Sequence, residues 1–258
     1  MPYETLIYEK TGGVGMITIN RPKVSNTINA RLVDELTDIC DNINHDEETR
    51  AVIITGSGEK AFCVGVDLSE FSSMAGINHQ RANLLSVAAP VASLTSPVIA
   101  AINGDALGQG LELALACDLR IASETAHFAL PHITSDIIPW DGATQRLPRL
   151  IGKAKAMEMI LTGETIDAVD AYRIGLVNKV VPPEELIQAV KNMWQAVAAK
   201  ASLPLKYAKE AIHKGLDLTL EQGLRLEADI YFLLQTTEDR TEGIRAFLEK
   251  RHPQFKGK

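Results

Sequence analysis

Apolar and polar positions follow one rhythm up to about residue 183 and another after it. In the first part, short apolar runs alternate with turn signals. Met1 to Lys10 alternates apolar with charged residues, and Val14 to Asn20 (VGMITIN) reads as a strand between Gly12-Gly13 and Arg21-Pro22. Asn29 is a good N-cap for a helix to about Asn42, with Leu32, Leu36, Ile39 and Ile43 on one face. Ala51 to Thr55 (AVIIT) predicts a short buried strand closed by Gly56-Ser57-Gly58. Phe62 to Asp67 (FCVGVD) is a second strand-like run with Gly65 inside it, where a bulge or a ligand's close approach is expected. Leu68 to Gln80 is polar and mixed, a loop over a site. Helical stretches follow from His79 to Leu94, with a break expected at Pro90.

Val98 to Ile102, Asp118 to Ala122 and His127 to Leu130 predict further short strands, and Pro131 to Trp140 a turn-rich bridge. Gly152 to Leu161 and Asp167 to Arg173 predict helices, and Val177 to Val181 a last strand. Strand, helix and strand in this order imply crossover connections and an α/β or α+β core. Beyond Pro182-Pro183 the pattern is helical: Glu184–Ala201, Leu205–Gly215, Leu220–Leu234 and Thr237–Lys250. Leu224, Ile230, Phe232, Leu233 and Leu234 give this tail more apolar surface than it can bury alone, so self-association is expected.

One stretch breaks the pattern in a way that carries chemistry. Asn103 to Asp118 (NGDALGQGLELALACD) leads three glycines into a helix that is apolar on every face, with one carboxylate, Glu112. A helix with no polar face is a buried helix. An unpaired carboxylate there costs several kcal/mol and its pKa rises, so folding alone gives no reason to keep it. The glycines let the backbone turn sharply and approach a ligand, and the free N–H groups of the first turn can hold a developing negative charge. An oxyanion site beside a buried acid suits enolate chemistry. The alternative is a packing helix whose Glu112 is neutralised by a neighbouring Arg or Lys.

Composition narrows the classes. The 258 residues are 46% hydrophobic and 23% charged, enough for a substantial core and no sign of disorder. A net charge of −7 argues against nucleic acid as a partner. Cys40, Cys63 and Cys117 are scattered, with no metal-ligand spacing, and read as reduced thiols. No apolar run is long enough for a membrane span and no signal-like leader is seen, so a cytoplasmic protein is expected.

The chain resembles the crotonase (enoyl-CoA hydratase/isomerase) superfamily almost from end to end. The resemblance rests on Asn20–Asn26 (NRPKVSN), Lys60–Leu68 (KAFCVGVDL), the Asn103–Asp118 motif, Thr144–Leu147 (TQRL), Leu161–Gly163 (LTG), Ala171–Val177 (AYRIGLV) and Thr237–Gly243 (TEDRTEG). It implies a spiral of β-β-α turns over residues 1–195 and a helical oligomerisation region over 196–258. A homotrimer or dimer of trimers follows, acting on an acyl-CoA thioester with no metal or other cofactor. The family's two oxyanion N–H donors fall on Val66 and Gln109, with Gly65 and Gly108 shaping the turns. Lys23, Val24 and Asn26 match where the family holds the CoA nucleotide. Asp67, Leu68 and Trp140 fall at the substrate, while Tyr231 and Lys250 match positions that reach CoA from a neighbouring subunit.

The chain departs from the family at its second acid. Glu112 matches the first family glutamate, but the position twenty residues on is His132, and Pro139–Gln145 reads PWDGATQ. Asp141 falls where some relatives, dienoyl-CoA isomerases among them, place a catalytic aspartate. The implied set is therefore Glu112 with Asp141 and with His132 facing the pocket. For Asp141 the alternative is a cap on the turn at Gly142, for His132 a packing role, and for Trp140 a place in the core. The implied reaction is hydration of a 2-enoyl-CoA through an oxyanion-stabilised enolate. Double-bond isomerisation, hydrolysis or decarboxylation, and a non-catalytic acyl-CoA-binding scaffold are the other readings.

Overall fold

The computed structural model describes residues 3–67, 86–198 and 200–258. The described residues form two compact units. One runs to Leu94 and resumes over Val98–Lys191; the other holds Thr95–Pro97 and Asn192–Lys258. The sequence expectation put this division at residue 195.

The first unit is a spiral in which successive strands alternate between two sheets. The larger sheet has six strands in the order β1 (Leu6–Thr11), β2 (Val14–Ile19), β3 (Ala51–Gly56), β5 (Val98–Ile102), β7 (Leu119–Ser123) and β10 (Lys179–Val181). Only β1 and β2 pair antiparallel; the rest are parallel. The smaller sheet is β4 (Ala61–Cys63), β6 (Asp105–Leu107), β8 (His127–Ala129) and β9 (Ile166–Asp167). Thus β3 to β4, β5 to β6 and β7 to β8 each step from the large sheet to the small one. Every residue of β3 and β5 is buried, as parallel strands covered on both faces require, and this is why both read as unbroken apolar runs.

Helices close the turns of the spiral. The first, α1 (Ala30–Asn44), is capped by Asn29, whose side chain accepts from the Leu32 amide at 3.0 Å. The second, α2 (Ala88–Ala92), contains Pro90 without a break. The proline lies in the first turn, where its missing N–H would have no intrahelical partner. The third, α3 (Gln109–Ala116), is buried at every residue. Its far end is held by a buried arginine: Arg120 Nη1 donates to the carbonyls of Cys117 at 2.6 Å and Ala114 at 3.3 Å. A cation at a helix C-terminus answers both the orphan carbonyls and the negative dipole end.

Three more helices, α4 (Ala143–Ile151), α5 (Lys153–Thr162) and α6 (Ala168–Arg173), belong to this unit. The helix α7 (Leu186–Ala198) leads into the second unit, which holds α8 (Ser202–Gly215), α9 (Leu220–Gln235) and α10 (Glu238–Glu249). On these, Ile212, Leu216, Leu220, Phe232 and Phe247 are all more than half exposed. Among the described residues no helix is long and apolar enough to cross a membrane.

Candidate active site

Two glycine turns meet at the head of α3. Gly65 has φ +91°, and Gly108, just before α3, has φ +55° and ψ −126°, conformations that only glycine adopts without strain. A methyl group on Gly65 would stand 3.2 Å from the Leu107 carbonyl and 3.4 Å from the Gln109 amide nitrogen. One on Gly108 would lie 4.0 Å from Gly65 Cα and 3.8 Å from His132 Cε1. The two turns and the imidazole therefore converge on one point, and at Gly108 it is the backbone conformation, not lack of space, that calls for glycine.

The hydrogen-bond pattern orients the two expected oxyanion amides. Ile28 donates to the Gly65 carbonyl and accepts from the Asp67 amide, both at 2.8 Å, so Val66 is bracketed and its own N–H faces away from Ile28. At α3 the Leu111 and Glu112 amides bond to the Gly108 carbonyl, while the Gln109 N–H lies at the mouth of the helix, outside the intrahelical pattern. Gly110 packs so closely that a methyl group there would stand 1.9 Å from the Cys63 carbonyl oxygen, which seats α3 against β4.

Glu112 lies one turn into α3 and is fully buried. Its Oε1 accepts the main-chain N–H groups of Asp141 at 2.8 Å and Ala143 at 2.9 Å. Among the described residues its Oε2 has no hydrogen-bond partner, and it faces His132 Nε2 at 3.6 Å. That separation is beyond hydrogen-bond reach. Burial pushes the Glu112 carboxyl up to about 7, against the pull of the two amides. Burial also lowers the His132 pKa, so the ring is neutral near pH 7 and the contact is no salt bridge. Among the described residues no Lys or Arg is in ion-pair contact with Glu112.

Asp141 is placed differently from the sequence expectation of a proton donor. Its side chain is buried, and both oxygens are held by protein donors. Oδ1 accepts from Ser86 Oγ, and Oδ2 accepts from the amides of Val87 at 2.9 Å and Ala88 at 3.1 Å and from Gln109 Nε2 at 2.9 Å. Nor does it cap the turn at Gly142 with its carboxylate, the other reading of its sequence context. Ser86, Arg120 and Arg146, which donates to the Asp141 carbonyl at 3.0 Å, were not singled out from sequence because their partners lie in other elements.

The other expected contacts divide. Lys23 and Val24 are exposed on the 3-10 turn Pro22–Val24. The Asn26 side chain, expected at CoA, is instead an internal staple. Fully buried, it accepts from the Arg21 amide at 3.0 Å and donates to the carbonyls of Ser57 at 3.0 Å and Ala61 at 2.8 Å. Asp67 pairs with Arg21 at 3.1 Å. Leu68 and the expected loop to Gln80 lie outside the described residues. Trp140 is 37% exposed, beside exposed Ile137 and Ile138, so the core reading of this residue is corrected. Tyr231 is exposed on α9, and Lys250 ends α10 in the left-handed conformation; both belong to the second unit.

Comparison with known proteins gives one consistent answer. A family model described as enoyl-CoA hydratase/isomerase matches residues 9–258. A probable enoyl-CoA hydratase of Rhizobium meliloti is 44% identical over 256 residues, 99% of each chain. The crotonyl-CoA hydratase of Syntrophomonas wolfei is 40% identical over 257 residues, again 99% of each. Among solved structures, an enoyl-CoA hydratase from Bacillus anthracis superimposes with a TM-score of 0.93 at 42% identity, covering 99% of this chain and 100% of that one.

Proposed function

The chain belongs to the enoyl-CoA hydratase/isomerase family, and from that premise we propose that it adds water across the 2,3 double bond of an enoyl-CoA thioester. The observation that carries this reading is Glu112: a fully buried carboxyl at the head of α3, one oxygen anchored and the other open beside His132. A group titrating at about 7 can both take and return a proton at neutral pH.

The steps follow from that placement. The thioester carbonyl accepts from the Val66 and Gln109 amides, which draws electron density from Cβ. Water attacks Cβ as its proton passes to Glu112. The new C–O bond forms, the double-bond electrons move to the thioester, and the resulting enolate oxygen is held by the two amides. The enolate then reforms its carbonyl as Cα takes a proton from the Glu112–His132 pair. Atoms balance as one H and one OH added. No metal or redox group enters these steps, and coenzyme A is part of the substrate. A homotrimer or dimer of trimers, with Tyr231 and Lys250 reaching a neighbour's CoA, is supported by the exposed apolar side chains of the C-terminal helices. A cytoplasmic setting is supported by the three buried cysteines, none of them in a disulfide.

Incubation with crotonyl-CoA in heavy-oxygen water tests the reaction. Label on the β-carbon is expected. A shifted double bond without label would replace hydration by isomerisation.

A further inference from the structure

We propose that Asp141 is a positioning residue, tying Glu112 to the Gln109 turn, and not the acid that protonates the substrate. This deepens the hydration reading and rests on it.

The Asp141 main chain donates to Glu112 Oε1 at 2.8 Å, so it fixes one oxygen of the acid. Its side chain accepts from Gln109 Nε2 at 2.9 Å, so it restrains the residue whose amide opens α3. The same carboxylate takes the Val87 and Ala88 amides and the Ser86 hydroxyl. Ser86 Oγ in turn accepts from the Ala89 amide at 2.9 Å, and Pro90 has no amide to satisfy. The first turn of α2 is therefore complete only with Asp141 in place. A carboxylate holding four donors is built as an acceptor, whereas Glu112 Oε2, with none among the described residues, is placed to exchange a proton.

Two substitutions separate the hydrogen bonds from the charge. D141N can keep its oxygen on Gln109, Val87 and Ala88 while its NH₂ donates to Ser86 Oγ, so geometry survives and the charge is lost. D141A loses both. Among the described residues the groups facing Glu112 are His132, Asp141 and Arg146, and of these the Asp141 charge opposes ionisation of Glu112. For D141N we therefore expect kcat within about fivefold of wild type. The acid limb of its kcat/KM profile should move to lower pH, and the basic limb should stay in place. For D141A we expect kcat to fall about 10–100-fold with KM within about threefold, the signature of misplaced groups. Should D141A not fold, Q109M removes the same side-chain tether and should show the same split.

Loss of the basic limb in D141N, with turnover as low as in D141A, would make Asp141 the acid and overturn the proposal. Wild-type kcat in D141A or Q109M would overturn it too. Failure of the wild-type enzyme to hydrate crotonyl-CoA would instead defeat the reading beneath it, before any variant is compared.

Discussion

His132 Nε2 stands 3.6 Å from Glu112 Oε2, and among the described residues that oxygen has no hydrogen-bond partner. Burial acts on the two groups in opposite senses, raising the carboxyl and lowering the imidazole. Near neutral pH a partly protonated carboxyl therefore stands beside a neutral imidazole, next to the mouth of α3.

Replacing the carboxyl should abolish chemistry while sparing binding. In E112Q the amide oxygen can keep the Asp141 and Ala143 bonds, but the open position can no longer take a proton. General acid–base catalysis contributes about 10²–10⁴-fold, and kcat should fall by that much. The Kd for an acyl-CoA, measured by calorimetry, should stay within about threefold, since no ground-state contact is removed.

The same residue makes stability pH-dependent. Its carboxyl titrates at about 7 in the folded chain, against an ordinary value of 4.5. Between these values the folded state holds a proton that the unfolded state releases. The stabilisation is thus complete below about pH 4.5 and is lost as pH rises through about 7. Urea unfolding should show E112Q gaining on wild type from pH 5 to pH 8 by something on the order of 2–3 kcal/mol. Parallel pH curves for the two proteins would count against a buried, ionisable Glu112.

Backbone shape at the turns should matter more than side chains. G108A forces φ +55° and ψ −126° on an L-residue and sets a methyl 3.8 Å from His132 Cε1. The strain alone is about 1–3 kcal/mol, and displacement of the Gln109 amide should cost about 10²–10³ in kcat. V66A, which leaves its amide in place, should stay within about threefold of wild type. Steady-state kinetics of the two variants side by side decides the point.

Asn26 should matter for folding and not for CoA. N26A removes the bond that the Arg21 amide donates, the bond that the Ser57 carbonyl accepts, and one of two donors to the Ala61 carbonyl, which also accepts from Asn103. Such hydrogen bonds contribute about 1 kcal/mol each, more where a partner is left buried without one, so a loss of roughly 2–4 kcal/mol is expected in urea. KM for the acyl-CoA should be unchanged at temperatures where the variant is folded.

These residues also show where the sequence is legible. The unbroken apolar runs of β3 and β5 and the capped, one-faced pattern of α1 each carry their own explanation locally. The motif at α3 announces a buried helix with one acid, and the structure buries all of it. Less visible were β6, three residues inside a glycine-rich stretch, and α4, which starts at a glycine without a side-chain cap and contains Pro148. Pro90 misled because a proline ends a helix only when it lies beyond the first turn.

Side-chain direction is the harder part. Asn26 sits in a turn that resembles a nucleotide-holding segment, yet its amide points inward. Asp141 meets Ser86 across 55 residues of chain, a pairing that no local spacing encodes. Trp140, large and apolar, reads as core until the neighbouring Ile137 and Ile138 are seen to be exposed with it.

The most direct test is a crystal structure of E112Q with a 2-enoyl-CoA bound. The account predicts the thioester oxygen about 2.7–3.1 Å from the amide nitrogens of both Val66 and Gln109, with Cα and Cβ beside the open position of residue 112. A thioester oxygen bound elsewhere, with either amide turned to another partner, would contradict it.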